Sequence, residues 1–276
     1  MDNKHGFGCL LSPIDLRDYR LRNSKVSATE LPESFDLNYN HNVKSQGSVS
    51  SCAAHAGAEV IEYYNPGHKM STNFIYGIRR LLFGSVGKGM YLRDVCKILS
   101  KYGDMTELDC KGNTEIDAVY EIAEKAFNDK DKLDRAYKFK IKEYVKLNSI
   151  NDIKFFIMNH GPVLASVKWY DSYKCNKSTG ILERKDPENN DYTNHAVIIY
   201  GWDNDYWMCQ NSWGISWGNR GLFKIKFADK LNESYGLIDD TDLNDDSDVV
   251  DPTYNFSLLE KIFKVINAII AMIKKH

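Results

Sequence analysis

The stretch that most constrains this chain is Gln46-Gly47-Ser48-Val49-Ser50-Ser51-Cys52. A polar, glycine-containing turn ends in a cysteine, and a small-residue helical pattern follows at once through Ala53, Ala54, Ala56, Gly57 and Ala58. A thiol in the first turn of a helix meets unpaired backbone N–H groups and the positive end of the helix dipole. That environment favours the thiolate, which is the nucleophilic form. Six positions earlier, Gln46 carries an amide that can donate to an oxyanion forming beside the sulfur. The C-terminal half supplies a base and a residue to orient it, in Asn194-His195-Ala196-Val197 and Gln210-Asn211-Ser212-Trp213-Gly214.

Taken singly, each of these residues has a bland reading: a buried cysteine, a strand-edge histidine, core tryptophans. Their order and spacing carry the inference. Gln46, Cys52, His195 and Asn211 occur in that order, and His195 follows Cys52 by 143 residues. The stretch from Asn211 to Gly221 sets two tryptophans, Trp213 and Trp217, among glycines.

This pattern resembles the papain-like (cathepsin-type) cysteine peptidases, whose Cys-to-His separation is about 130–150 residues. The resemblance covers residues 31–228. It implies an α+β fold of two lobes, a helical N-terminal lobe and an antiparallel β-barrel C-terminal lobe, with the active-site cleft between them. It implies an endopeptidase using a Cys52–His195–Asn211 triad with Gln46 in the oxyanion hole, and Trp213 shielding the His–Asn hydrogen bond. The substrate backbone is expected beside Gly89. Ser166 and Ala196 match the main specificity pocket, and their small uncharged side chains predict room for an apolar or aromatic group. Two positions depart from the family pattern: Ala53 stands where Trp is common, and Asn194 where Asp often precedes the histidine. Two other readings compete, a catalytically idle peptide-binding relative and a thiol-dependent deconjugase.

The chain has 276 residues, enough to bury a full core. A net charge of −2 carries no nucleic-acid footprint. No C-x-x-C or H-E-x-x-H pair suggests a metal, and no cofactor is expected. The partner expected is a peptide or protein substrate, acted on by a monomer. Six scattered cysteines, and Val49 where secreted relatives carry a disulfide partner, predict free thiols. With no apolar leader, the expected location is cytoplasmic or virion-associated. Abundant Asn, Lys, Asp, Ile and Tyr hint at an AT-rich genome such as that of a large DNA virus or a protist.

Four segments are expected. Residues 1–30 form an arm packed on the surface or a short pro-segment across the cleft. Its Pro13-x-x-x-Arg17-Asp18-Tyr19 resembles an element preceding the catalytic domain in bacterial and viral relatives. Cys9, within reach of the cleft, is a candidate for a reversible disulfide with Cys52. Residues 31–238 form the catalytic domain, opening on Leu31-Pro32-Glu33-Ser34-Phe35-Asp36-Leu37. Within it, helices are expected over 52–64, 70–83 and 91–102, along much of 104–135 and over 149–159. The alternation of Tyr137, Phe139 and Ile141 with lysines predicts a strand over 136–147. Residues 239–251 are an acidic linker. Residues 252–276 form an amphipathic helix that docks on the domain, binds a membrane surface or a partner protein, or spans a membrane.

Overall fold

The computed structural model describes residues 5–15, 18, 20–21, 31–85, 87–112, 116–239 and 249–250. Along the chain run β1 (Cys9–Leu10), β2 (Arg20–Leu21), β3 (Ser34–Asp36), α1 (Cys52–Tyr64), α2 (Thr72–Phe83), β4 (Met90–Tyr91) and α3 (Leu92–Lys101). Then come α4 (Ile116–Phe127), α5 (Lys130–Ala136), β5 (Glu143–Lys146), α6 (Ile150–Asn159), β6 (Val163–Tyr170), β7 (Tyr173–Cys175) and β8 (Leu182–Arg184). The last strands are β9 (Tyr192–Asp203), β10 (Tyr206–Gln210), β11 (Leu222–Lys226), β12 (Leu231–Ile238) and β13 (Val249–Val250).

The small residues of α1 let it run through the middle of the molecule. Every residue from Cys52 to Glu62 is buried. At Gly57 a Cβ would stand 2.4 Å from Val95 Cγ1, so α3 approaches α1 more closely than any larger residue permits. One core gathers around α1, α2 and α3 and includes Phe74, Ile78, Val95 and Leu99. A second, under the sheet, includes Phe156, Val167, Trp202, Trp207 and Phe223. The cleft lies where α1 meets β9 and β6.

Helix ends follow local chemistry. Ser71 Oγ accepts from the Phe74 N–H and caps α2. Ser149 and Asp152 form a reciprocal capping box on α6. Among the described residues of the charged 104–135 stretch the helices are α4 and α5.

The expected strand over 136–147 shortens to β5. Asp129 caps α5, which runs directly into a single 3-10 turn at Tyr137–Phe139. The partner strand β12 ends at Ile238, opposite Glu143, and its last hydrogen bond to this segment comes from the Lys142 N–H to the Ile238 carbonyl oxygen at 2.8 Å. A period-two alternation this short is satisfied by a turn as well as by a strand.

The expected closed antiparallel barrel is overturned. The nine-stranded sheet runs in the order β11-β10-β9-β6-β12-β5-β2-β13, with β3 added beside β9. Its terminal strands, β11 and β13, do not pair, so the sheet stays open. It is also mixed, because β2 joins β5 in parallel. The fold is therefore an α+β two-lobe arrangement with a mixed, mainly antiparallel sheet. A strand pattern read along the chain gives local pairings, but closure depends on where the first and last strands meet in space.

The acidic stretch 240–248 and the segment 252–276 lie outside the described residues. No described helix is long and apolar enough to cross a membrane. All six cysteines are free thiols.

Candidate active site

Cys52 is the first residue of α1. Its sulfur accepts the Ala196 backbone N–H at 3.5 Å, so β9 holds His195 and Ala196 against the start of the helix. His195 Nε2 and Asn211 Oδ1 are 2.8 Å apart. The same Oδ1 accepts the Ser212 N–H at 2.8 Å, which fixes the amide so that its oxygen faces the ring. The other ring nitrogen, Nδ1, is buried without a partner and remains the position for a transferred proton.

Aromatic rings enclose this imidazole. Trp213 lies across it at 4.7 Å between centroids, and Trp169 meets it edge-on at 5.2 Å. Trp213 was legible in the sequence. Trp169 was not, because on β6 it reads as one more apolar strand residue.

Gln46 is placed by the residue after Asn211. Ser212 Oγ donates to Gln46 Oε1 at 2.6 Å, and the Gln46 N–H donates to the Ser212 carbonyl at 2.9 Å. The amide oxygen is thereby taken up, and the NH2 group faces the cleft. Lys44, two residues upstream, is held by Glu62 at 2.8 Å and Glu107 at 3.0 Å, which ties the loop to α1.

The N-terminal arm occupies the cleft. Gln46 Nε2 donates to the Gly6 carbonyl oxygen at 2.9 Å and to Val49 O at 2.7 Å. His5 stacks on Trp213 with centroids 4.6 Å apart, and Phe7 meets both His195 and Trp213 edge-on at 5.5 Å. The Gly8 N–H reaches the Cys52 sulfur. Gly8 O accepts the Met90 N–H at 2.8 Å, and β1 then pairs in parallel with β4, Cys9 opposite Met90. Gly89 stands just ahead of this pairing, with its carbonyl turned to Arg79 Nε at 3.0 Å. Close approach requires glycine in the arm: a Cβ on Gly8 would lie 2.1 Å from Ser50 O, and one on Gly6 2.2 Å from Val49 O.

Beyond the cleft the arm is clamped. Asp18, nearly fully buried, makes a two-pronged pair with Arg93 of α3, at 2.7 Å to Nε and 2.6 Å to Nη2. Arg93 Nη1 also donates to Pro13 O at 2.5 Å. Asp18 thus supplies a physical role for the arm motif.

With the arm in place Cys52 and His195 are both fully buried. Burial pushes the Cys52 thiol up to about 11, against the backbone N–H groups of Ala196, Gly8 and Ala53. Burial likewise pushes His195 down to about 4, with the Asn211 hydrogen bond opposing. In this form desolvation outweighs the helix N-terminus, and both groups are neutral near pH 7.

The pocket residues Ser166 and Ala196 are cross-strand partners of β6 and β9. Both are buried, beside the arm rather than open to water. His55, on the nucleophile helix, is occupied with Ser51, its Nδ1 lying 3.0 Å from the Ser51 carbonyl oxygen. Among the described residues no group of three or more His, Cys, Asp or Glu is arranged to hold a metal ion.

Comparison with known proteins agrees with this geometry. The family described as "Papain family cysteine protease" matches residues 31–240. A cysteine protease of Blomia tropicalis is 37% identical over 94 residues, 33% of this chain and 27% of that protein. Cathepsin Z of Onchocerca volvulus is 30% identical over 105 residues, 35% of this chain and 32% of that protein. The chain thus matches about a quarter to a third of the length of these relatives. Among solved structures, xylellain, a cysteine protease from Xylella fastidiosa, superposes with a TM-score of 0.73 at 25% identity, covering 86% of this chain and 97% of that one. The protease and lectin-like domains of Cwp84 from Clostridium difficile give a TM-score of 0.61 at 20% identity, covering 91% of this chain and 57% of that one. Similarity extends to both eukaryotic and bacterial proteins. Nothing in it supports the viral assignment that composition suggested.

Proposed function

The chain belongs to the papain family of cysteine proteases, and on that premise we propose that it hydrolyses peptide bonds through Cys52 and that its N-terminal arm holds it in a latent form. The observation that carries the reading is the His195–Asn211 pair at 2.8 Å beside the Cys52 sulfur, with Gln46 Nε2 aimed at the same point.

The chemistry follows from these positions. The Cys52 thiol gives its proton to His195 Nδ1, and the sulfur attacks the substrate carbonyl carbon. The developing oxyanion takes hydrogen bonds from Gln46 Nε2 and the Cys52 N–H, each worth about 3 kcal/mol of barrier. The C–N bond breaks as His195 returns the proton to the leaving amine. Water, deprotonated by His195, then cleaves the thioester. Asn211 keeps the ring in the required tautomer and orientation.

Latency follows from the arm. The Gly6 carbonyl fills the oxyanion seat and Phe7 covers the imidazole. The arm also runs the wrong way for cleavage. The leaving amine must sit at His195, so the C-terminal half of a substrate lies over His195 and Trp213. The arm instead places its N-terminal residues, His5 and Phe7, there, and its later residues, Cys9 and Leu10, on β4. Such a segment blocks the cleft without presenting its bond for attack.

Intact mass after treatment with a peptidyl epoxide tests the reading on the full chain and on Cys52→Ala. A single adduct, slow to form and absent from Cys52→Ala, supports it. An adduct elsewhere, or none after the arm is loosened by Gly8→Ala, overturns it.

A further inference from the structure

The helix that carries Cys52 also carries a buried carboxylate that the mechanism above does not use. Glu59 follows Cys52 by just under two turns of α1, so it leaves the helix on the nucleophile's side, about 10 Å further along. It is 3% exposed. Its neighbour Glu62 is engaged with Lys44 Nζ at 2.8 Å, the Met70 N–H at 2.7 Å and Asn42 Nδ2 at 2.7 Å. Glu59 receives different groups. Its Oε1 accepts the Lys44 backbone N–H at 3.0 Å, and its carboxylate accepts the side-chain amide of Gln210.

Both contacts lie one step from the chemistry. The Lys44 carbonyl accepts the Gly214 N–H at 2.9 Å, Ser45 bridges to Trp213, and the Gln46 N–H donates to the Ser212 carbonyl at 2.9 Å. The segment with the oxyanion donor is thus paired to the segment that follows Asn211. Gln210, at the end of β10, immediately precedes Asn211. Its amide orientation is fixed. Tyr39 Oη donates to Gln210 Oε1 at 3.3 Å and His41 Nδ1 lies 2.7 Å from the same oxygen, so the NH2 group turns to Glu59. Glu59 therefore meets donors from two sides. An ionised carboxylate only accepts, whereas an amide or a protonated acid brings a donor of its own. Burial pushes the Glu59 carboxyl up to about 8, opposed by the Lys44 N–H, the Lys44 charge and Gln210, with Glu62 adding to the rise. Tyr39 faces it from the loop before α1, and His41 reaches it through Gln210.

We propose that Glu59 is a positioning residue for the hydrolysis. From the nucleophile's own helix it fixes the Gln46 segment and the Gln210–Asn211 segment relative to Cys52, and with them the oxyanion donor and the group that orients His195. This rests on the peptidase reading above. Glu59 touches none of the reacting atoms and acts through Lys44 and Gln210. Its loss costs rate rather than binding, because a misaimed donor matters only as charge develops.

The test uses the full chain carrying Gly8→Ala as parent, with Glu59→Gln, Gln210→Glu and the two together. Active sites are counted by peptidyl-epoxide labelling of Cys52, and kcat on one fluorogenic peptide is expressed per labelled site. In Glu59→Gln one NH2 group faces another and a donor goes unmet. Above about pH 8 its kcat should fall about tenfold with KM within about twofold of the parent. Gln210→Glu sets two carboxyls together and should lower kcat likewise. The double variant exchanges the roles: the amide at position 59 accepts from Lys44 and donates to the carboxylate at position 210, which still accepts from Tyr39 and His41. It should recover kcat to within about threefold of the parent. The loss in Glu59→Gln should shrink as pH falls below about 8, where the parent's own carboxyl takes up a proton. Fewer labelled sites with kcat per site unchanged, or a double variant no better than the single ones, overturns the proposal and leaves the peptidase reading intact. Where a single variant yields no labelled sites, recovery or failure of the double variant decides. No cleavage by the parent overturns the proposal, and an unlabelled Cys52 in that parent overturns the peptidase reading with it.

Discussion

The carbonyl oxygen of Gly6 lies 2.9 Å from Gln46 Nε2, so the arm's own backbone takes the donor that the proposed mechanism assigns to the substrate oxyanion. The same Gln46 is locked from behind by Ser212. One residue of the triad stretch thus sets the donor, and one residue of the arm consumes it.

Loosening the arm should expose the thiol. A Cβ on Gly8 would fall 2.1 Å from the Ser50 carbonyl oxygen, and backbone on both sides leaves little room to yield. Gly8→Ala should therefore raise the rate of Cys52 labelling by a peptidyl epoxide at least tenfold over the unaltered chain. Equal rates, measured by intact mass, would remove the arm as a barrier.

Labelling should depend on pH from both sides. His195 is held down to about 4 with the arm seated and relaxes toward its ordinary 6.5 when water enters. The seated form therefore keeps this contribution above about pH 6.5 and loses it as pH falls toward 4. Cys52 is held up at about 11 against an ordinary 9.0, so its contribution is complete below pH 9 and is lost as pH rises toward 11. The labelling rate of the unaltered chain divided by that of Gly8→Ala should be lowest between about pH 6.5 and 9 and rise on either side. A ratio flat from pH 5 to 10 would contradict this.

The Asp18–Arg93 clamp is buried on both sides, with side chains 4% and 5% exposed. Arg93→Ala leaves the Asp18 carboxylate without its main partner and should cost about 3–5 kcal/mol. Thermal unfolding of the full chain reports the loss as a lowered Tm. A shift of less than 1 °C would show the clamp to be energetically idle.

Ser212 should act on catalysis through Gln46. Its Oγ holds the amide oxygen at 2.6 Å, so Ser212→Ala frees the amide to rotate. In the Gly8→Ala background kcat should fall several-fold with KM nearly unchanged, because the lost interaction matters only as charge develops. A change confined to KM would mean Ser212 serves binding instead.

The sequence by itself determined which side chains are candidates for the chemistry. Gln46, Cys52, His195 and Asn211 were legible because a thiol nucleophile requires those side-chain types in a fixed order, and the helix carrying Cys52 announces itself through its small residues. Tertiary structure decided what depends on distant segments meeting. The sheet stays open because β11 and β13 do not meet, a fact no strand pattern contains. Tyr137 and Phe139 form a turn because β12 ends before it could pair with them. Glu233 meets Ser166 only through the register of β12 with β6, and Trp169 flanks the histidine only through the fold of β6 against β9. The state of the site was decided in the same way. A helix N-terminus favours a thiolate, but an arm seated over Cys52 excludes water, and desolvation then keeps the sulfur protonated.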